Sequence, residues 1–436
     1  MTRDSRGRAA VRAGAGIVLL LGLTGSGSAA PRYDLLLRGG HVIDPRNGVN
    51  SVRDVAIAGG RIAAVAERID PTEAAKTVDV SGLYVAPGLV DIHAHVFTGT
   101  GEKGSYAGDN SVYPDGFTLR VGVTTVADAG GAGWRNFRAF KERVIDRSKT
   151  RVLAFLNIVG HGMRGEAFEQ ALEDMDAGPT AETALRHKGL IVGIKTAHYE
   201  GPDWAPVERA VAAGTRAGIP VMVDFGANRP ERPLAELVTR KLRPGDIYTH
   251  VYSGLRGEQD ASGQVNPGLL EGRKRGVLFD VGHGGGSFSW GIAAPAVAAG
   301  FLPDSISTDL HVGSMNSGMK DILNVMSKFL ALGVPLDQVI ARATSHPARQ
   351  IGHEELGQLG VGSPADVAVL RLEKGAFGFI DSFGARLSAT ERLSCELTLR
   401  DGKVIYDTNG LTRPDWKTLP RGYRSTGDPR WDGIWR

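Results

Sequence analysis

Two histidines close an apolar stretch in the first quarter of the chain. The segment GLVDIHAHVF, residues 88–97, carries His93 and His95 one residue apart. Residues two positions apart on a strand point to the same side, so this pair presents two imidazoles together. Imidazole nitrogens are common ligands of zinc and related divalent metals. The spacing therefore predicts one part of a metal site, whose other ligands must come from later segments.

Further polar side chains stand late in later apolar runs, where an unpaired charge would be costly. They are Lys195 in LIVGIKTA, Asp224 in IPVMVDFG, His250 in GDIYTHVY, His283 in GVLFDVGHG and Asp309 in DSISTDLHV. One such residue could be a satisfied core group, but this many indicate a shared partner, for which a divalent metal is the natural choice. The single cysteine, Cys395, excludes a cysteine-rich metal site and an internal disulfide framework.

Lys195 is the most informative of these residues, because lysine is almost never fully buried without a partner. Two explanations stay open. Lys195 pairs with a carboxylate such as Asp224, or its neutral amine has taken up carbon dioxide to form a carbamate that bridges two metals. Burial and nearby cations favour the neutral amine that this reaction requires. We therefore prefer the carbamate.

The apolar runs that carry these residues predict an α/β fold. They recur roughly every 30 residues from position 88 to position 350, with helix-like segments between them that end in glycine. Such alternation is typical of parallel strands buried on both faces. We predict a (β/α)8 TIM barrel over residues 88–350, with the polar groups at the carboxyl ends of its strands, where these barrels carry their chemistry. A doubly wound open sheet is the alternative, but the first turn lacks its glycine fingerprint.

The two ends of the chain have different patterns. Short strands over residues 31–87 and 351–410 predict a small β-sandwich domain built from both ends, and residues 411–436 form a tail on the surface. Residues 1–30 combine four arginines, a short apolar run and small residues. That order predicts a signal peptide and a secreted or periplasmic protein, because the run is shorter than the roughly 20 residues of a membrane span. An uncleaved leader or a lipid-contacting anchor is the alternative.

The composition of the chain narrows the kinds of molecule that the protein is expected to bind. The formal net charge is +3 and no long basic block is present, which argues against nucleic acid. We expect a small-molecule substrate and no stable membrane span. Whether the chain forms a homo-oligomer stays open.

Several motifs together resemble the amidohydrolase superfamily, in its deacetylase-like or dihydroorotase-like branch. These motifs are LLLRGGHVIDP, VAPGLVDIHAH, GIKTA, DIYTH, STDLH and LGVGSPADVAVL. The resemblance implies that His93, His95 and Asp309 hold one metal, and that carboxylated Lys195 bridges to a second metal that His250 also binds.

Asp224 departs from this family pattern, because the family usually has a histidine at that position. A carboxylate can bind zinc, so one or two divalent ions are expected, either zinc or the harder manganese. His198, three residues after Lys195, is either a compensating ligand or a substrate contact, and we prefer the second role. His161 and His283 are the other predicted substrate contacts: the family often has one after strand three, and the glycine run after His283 allows close approach to a ligand.

The predicted reaction is hydrolysis of an amide or ester by metal-activated hydroxide, with Asp309 transferring the proton. Within the family resemblance, we expect a deacetylase or deacylase of N-acyl amino acids or related small molecules. A hydrolase of cyclic amides or imides, like dihydroorotase or hydantoinase, is the alternative. A third interpretation is a non-catalytic metal-binding barrel. Asp309 argues against it, because a structural metal site is closed and needs no acid or base.

Overall fold

The computed structural model describes residues 30–226 and 228–422. Residues 1–29 of the predicted signal peptide lie outside this part. The strands of the described chain, in order, are β1 (Leu35–Asp44), β2 (Val49–Ala58), β3 (Arg61–Ala66), β4 (Thr77–Asp79), β5 (Tyr84–Pro87), β6 (Leu89–Ala94), β7 (Val123–Gly133), β8 (Arg151–Asn157), β9 (Ile191–Thr196), β10 (Val221–Val223), β11 (Ile247–Tyr248), β12 (Leu278–Phe279), β13 (Val367–Ile380), β14 (Arg386–Arg400) and β15 (Lys403–Asp407).

The α-helices of the described chain lie mostly between the strands of its middle part. They are α1 (Phe137–Phe140), α2 (Glu166–Gln170), α3 (Ala177–Arg186), α4 (Ala205–Ala217), α5 (Leu234–Glu236), α6 (Pro267–Lys274), α7 (Trp290–Ala298), α8 (Val312–Asn316), α9 (Ile322–Ala331), α10 (Leu336–Arg342) and α11 (Ser345–Gln350). The ends of two of these helices have local causes. The Asp176 carboxylate caps α3 by accepting from Gly178 N, and α4 ends at Gly218, whose φ of 70° suits glycine.

Strands β6 to β12 form one parallel sheet whose spatial order follows chain order. A doubly wound sheet reverses its strand order at a switch point, so this topology excludes that alternative. Residues 305–310 join the two edges. Val281 N donates to Ser305 O (3.1 Å) beside β12, and His95 N donates to Leu310 O (2.8 Å) beside β6. The sheet therefore curls until both of its edges contact the same segment.

The first strands of this sheet are buried on both faces, as their apolar runs predicted. Every residue of β6, β7 and β9 is buried. Alternate side chains of successive strands, such as Ile92, Phe155 and Met222, pack in one cluster with Ala348 of α11. Apolar burial on both faces stabilises the sheet by about 25 cal/mol per Å² of surface removed from water.

The last strands are shorter than the apolar runs that predicted them. Strand β11 stops at Tyr248, and residues 305–310 make isolated bridges rather than a strand. The reason is local, because His250 and Asp309 have φ values of 65° and 51°. An extended strand cannot continue through the left-handed region.

The strands from both ends of the chain pair with each other, as predicted, and they form one continuous mixed sheet. Its order is β15-β14-β13-β5-β1-β2-β3, and β4 also pairs with β1. Strand β5 joins the two halves because it pairs in parallel with β1 and antiparallel with β13. Apolar residues from both halves, including Val55, Val85 and Val369, share one buried cluster.

Helix α9 connects the mixed sheet to the parallel sheet. Leu393 N of β14 donates to Ser327 Oγ of α9 (3.0 Å), and Leu393 belongs to the main core cluster of the parallel sheet. Residues 411–422, the described part of the predicted tail, are mostly exposed. A search of the described residues for helices with the length and apolar character of a membrane span finds none.

Candidate active site

The carboxyl ends of the parallel strands bring the central predicted ligands together. His93 is the second-last residue of β6, His250 follows β11, and Asp309 lies near the end of the 305–310 segment. One possible ligand atom from each of these three buried residues lies within 4.8 Å of the other two. We call these three residues the His93 cluster. His95 joins it, since its Nε2 lies 2.9 Å from Asp309 Oδ1, and His93 Nε2 lies 3.6 Å from the same oxygen.

Hydrogen bonds fix the rings of His93 and His250 in the orientation of metal ligands. His93 Nδ1 lies 2.9 Å from Thr249 Oγ1, which donates to Asp280 Oδ2 (2.8 Å). His250 Nδ1 donates to Gly282 O (2.6 Å). Both Nε2 atoms are thereby left to face the cluster. Metal-binding histidines are usually held in this way through their second ring nitrogen.

Lys195 lies fully buried beside the cluster. Its Nζ lies 3.3 Å from His93 Nε2 and 3.7 Å from Met222 Sδ. No described carboxylate oxygen lies within ion-pair distance of it, so the pair with Asp224 that was the alternative to a carbamate does not form. Burial lowers the pKa of Lys195 although Asp224, Asp309 and Asp280 oppose the shift. The site therefore favours the neutral amine.

One carboxylate oxygen of Asp224 contacts a guanidinium, and the other oxygen faces two imidazoles. Arg256 Nη2 lies 2.9 Å from Oδ1, whereas His250 Nε2 and His198 Nε2 lie 3.4 and 3.3 Å from Oδ2. Burial alone would raise the pKa of Asp224, but Arg256 and His250 hold it well below its usual range. Asp224 is therefore ionised, with Arg256 as its charged partner.

The pKa of Asp309 is also set by opposing effects of burial and of neighbouring groups. Burial would raise its pKa, but the interaction with the His93 ring and the hydrogen bond from His95 outweigh burial and lower it. Burial also lowers the pKa of His93 to about 3, with Lys195 as the next cause. The His93 imidazole is thus neutral at pH 7, which is the form that binds a metal.

Two of the predicted substrate contacts lie apart from the cluster. The His161 ring packs against Phe168, with ring centroids 5.2 Å apart, and within the described residues no hydrogen bond joins it to the cluster. His283 is fully buried. Its Nδ1 bonds Gly284 O (2.9 Å), and its Nε2 lies 2.5 Å from Lys328 Nζ. With both nitrogens engaged, His283 has none free for a substrate, so this geometry does not support that predicted role.

Some residues that shape the site were not predicted from the sequence. Arg256 and Glu169 contact Asp224 and His198, and nothing in their local pattern marked them. Tyr106 covers the cluster from the loop after β6, with its ring 4.5 Å from that of His95 and 5.0 Å from that of His311. Asp280 ends the apolar run LFD and could have been found by the rule that identified the others.

The donor set fits a divalent metal. The cluster offers imidazole Nε2 atoms and an ionised carboxylate, which are ligands that zinc and manganese accept. His95 adds a further imidazole, whose Nδ1 is buried and has no hydrogen-bond partner among the described residues. The ligands come from separate strand ends of a curled sheet. This arrangement can hold a metal between the strand ends.

Comparisons with known proteins agree with this arrangement. Residues 296–406 match the amidohydrolase family. The chain is 34% identical over 344 residues to a deacetylase of Agrobacterium fabrum, covering 77% of this chain and 82% of that relative. A crystal structure of an adenine deaminase matches with a TM-score of 0.78 at 28% identity, over 86% of this chain and 100% of the other. A crystal structure of a dihydroorotase matches with a TM-score of 0.74 at 30% identity, over 86% of this chain and 99% of the other.

Proposed function

Because the chain belongs to the amidohydrolase superfamily, we propose that it is a metal-dependent deacetylase that hydrolyses small N-acyl compounds such as N-acyl amino acids. The observation that carries this proposal is the convergence of His93, His250 and Asp309 at the carboxyl edge of the parallel sheet. The similarity to a deacetylase over 82% of that relative favours acyl release among the reactions of the superfamily.

Asp309 is the residue best placed to move the proton. It is 9% exposed and lies against His93 and His95, so it can contact both the ligands and an incoming substrate. A divalent metal, when bound, supplies a water of lowered pKa and polarises the substrate carbonyl. The Asp309 carboxylate then accepts the proton of the attacking water and delivers it to the leaving nitrogen as the C–N bond breaks. Tyr106 covers this position and restricts the access of bulk water.

Lys195 carries a carbamate in this proposal. Its amine nitrogen attacks carbon dioxide, an N–C bond forms, and one proton leaves to give an anion on a formerly cationic side chain. The support is geometric: Lys195 is fully buried, adjoins His93 Nε2, and has no carboxylate in ion-pair distance among the described residues. The bound ion is zinc, with manganese as the alternative where Asp224 contributes a harder oxygen ligand.

We also propose a place in the barrel for residues 305–310 and a location for the protein. Residues 305–310 take the eighth strand position of a (β/α)8 barrel, which their bonds to both sheet edges support. Residues 1–30 direct export to the periplasm or the medium, a proposal that rests on the sequence pattern alone.

Opening of a cyclic amide is the second candidate function. The similarity to a dihydroorotase structure, at 30% identity over 99% of that chain, favours it specifically. The two candidates need the same metal ligands and the same proton transfer, so the site geometry does not separate them. A panel of substrates separates the two candidate functions.

The test is hydrolysis by the zinc-loaded protein of two panels in bicarbonate buffer. One panel holds N-acetyl amino acids of both configurations and acetyl esters, and the other holds cyclic amides and imides. Asp309→Asn protein prepared in the same way is the matched control for contaminating hydrolases. Turnover of acyl compounds alone supports the deacetylase, and turnover of rings alone establishes the second candidate. No turnover of either panel by metal-bound protein would contradict both.

A further inference from the structure

We propose that a cavity beside Leu310 is a second binding site, for a small organic acid with an apolar body and a hydrogen-bond donor. Residues of helices α8 and α9 and of strand β14 line this cavity. None of its lining residues belongs to the His93 cluster. The inference therefore does not rest on the proposed function.

The cavity has the size and the apolar surface of a ligand site. Its volume is about 570 Å³, within the roughly 300–1,000 Å³ that is usual for small-molecule sites. Leu310, Leu323 and Leu393 line it and are each at most 6% exposed. Phe117 and Tyr406 add two aromatic residues to the lining. An apolar ligand body that displaces water from this surface gains free energy of binding.

Two cations of the lining are free to bind an anion. Arg120 and Lys320 are exposed, and no hydrogen bond or ion pair joins either side chain to another described residue. The third cation, Arg392, is already engaged, because its guanidinium pairs with Glu373 (2.6 Å) and packs over the Phe377 ring. A carboxylate is the group that free guanidinium and ammonium groups bind most strongly in this setting.

The acidic residue of the lining does not cancel these charges. Asp321 Oδ1 accepts from Asn324 N (2.8 Å) and so caps helix α9. Burial raises the pKa of Asp321, although Arg120 and Arg392 oppose that shift. Even with Arg392 neutralised by Glu373, two cationic side chains stand against one carboxylate in the lining. The excess of positive charge favours an anionic ligand.

A buried acceptor in the cavity defines a third contact. Asn324 lines the cavity, and its Oδ1 is buried without a hydrogen-bond partner among the residues that the structure describes. A buried acceptor without a donor is costly, and such groups usually have a partner. An N–H or O–H group of the ligand supplies one. The three contacts together fit a carboxylic acid that also carries an amino, amido or hydroxyl group and an apolar side chain.

The cavity adjoins the segment that carries Asp309. Leu310 follows Asp309 directly, and Leu310 O accepts from His95 N (2.8 Å). Ser314 Oγ donates to Asp309 O (2.8 Å), and Met315, the next residue of α8, lines the cavity. A molecule bound here therefore lies outside the candidate metal centre but contacts the segment that holds its acidic residue.

The test uses anilinonaphthalenesulfonate (ANS) as probe, a fluorescent anion with an aromatic body and an N–H donor. Its dissociation constant is measured by fluorescence titration of the full-length chain and of the double variant Arg120→Gln/Lys320→Gln. Both side chains are exposed, so the variant should keep the melting curve of wild type. Arg186→Gln/Lys188→Gln is the matched control, since it removes one Arg and one Lys from exposed positions outside the cavity.

We expect the dissociation constant of ANS to rise by about 10-fold or more in the cavity variant, because two charge-assisted contacts are lost. In the control it should stay within about twofold of wild type. N-phenylnaphthylamine, which has the same aromatic body and N–H group but no sulfonate, should bind all three proteins equally. Lack of saturable ANS binding, or equal losses in the two double variants, overturns the site. Equal weakening of both probes by the cavity variant overturns the anionic contact.

A further variant tests the buried acceptor. Asn324→Leu keeps the approximate size of the side chain but removes Oδ1, so both probes lose the partner of their N–H group. Each dissociation constant should rise by about 2–10-fold, the range for one neutral hydrogen bond. Unchanged constants for both probes would show that they do not reach Asn324 and would overturn the assignment of the donor.

Discussion

Asp309 combines contacts that a proton carrier in this site needs. It lies 2.9 Å from His95 Nε2 and 3.6 Å from His93 Nε2, and its interactions with these two rings keep its pKa low in spite of burial. A low pKa keeps the carboxylate ionised, which is the form that can accept a proton from an attacking water. The amide of asparagine keeps the shape of the side chain but cannot accept and release that proton.

We therefore expect Asp309→Asn to fold normally, to retain most of its metal and to lose turnover by about 10²–10⁴-fold. The measurement pairs kcat on an N-acetyl substrate with metal content and the melting curve. Full activity in the variant would remove Asp309 from the acid–base role. Loss of metal in parallel with loss of activity would assign it to metal binding alone.

Lys195 gives a second prediction at the level of one residue. If it carries a carbamate, protein incubated with ¹³C-bicarbonate should show a carbamate carbon resonance that Lys195→Gln protein lacks. The variant should also bind less Zn²⁺, because the neutral amide cannot replace an anionic ligand. Lys188→Gln is the control, since Lys188 is exposed, and its resonance and metal content should match wild type. A labelled signal that persists in Lys195→Gln would refute the carbamate.

At the scale of elements, the loop after β12 sets the position of Asp309. Gly284 has a φ of 57°, and a Cβ added there would clash with Asp309 Oδ2. The loop backbone thus packs directly against the carboxylate, and only glycine permits this approach. Gly286, two residues later, has no atom within 4 Å of an added Cβ. Substitution of Gly286 is therefore the control for substitution of Gly284.

Gly284→Ala should displace the Asp309 carboxylate and lower kcat by on the order of 10²-fold, the size expected for a misplaced catalytic group. The left-handed backbone adds a loss of folding stability of roughly 1–2 kcal/mol. Gly286→Ala should leave kcat within a factor of about two of wild type, since nothing contacts its new methyl group. Equal effects of the two substitutions would show that close packing at Gly284 is unimportant.

The sequence predicted much of this element-level arrangement because strand periodicity and polar strand ends are local features. The apolar runs located β6 to β12, and the polar residue at each end located His93, Lys195 and Asp224. Arg256 and Glu169 escaped prediction because their contacts depend on how separate loops meet in space. The outer half of the β13–β14 hairpin, residues 373–391, is largely exposed, so it has no apolar pattern that could have revealed its length.

At the scale of the whole molecule, one buried lysine ties the mixed sheet to the parallel sheet. Lys328 of α9 donates from Nζ to Ile380 O of β13 (2.7 Å) and to Gly318 O (2.9 Å), and it contacts His283 Nε2 after β12. Replacing it by methionine leaves these acceptors without their donor. We expect Lys328→Met to lower the free energy of unfolding by about 1–3 kcal/mol, the usual cost of an unsatisfied buried polar group.

The effect of Lys328 on stability should depend on pH. Burial lowers its pKa from 10.5 to about 7, while the charges of Asp381 and Lys320 act in opposite directions on it. Between pH 7 and pH 10.5 the unfolded chain therefore holds a proton that the folded chain has released, and wild-type stability rises with pH. We therefore measure the urea midpoints of wild type and Lys328→Met at pH 6 and at pH 9. The difference between the two proteins should be larger at pH 9. Lys374→Met changes an exposed position of β13, and its difference from wild type should be the same at both pH values. An equal difference at pH 6 and pH 9 for Lys328→Met would exclude titration of Lys328 between these pH values.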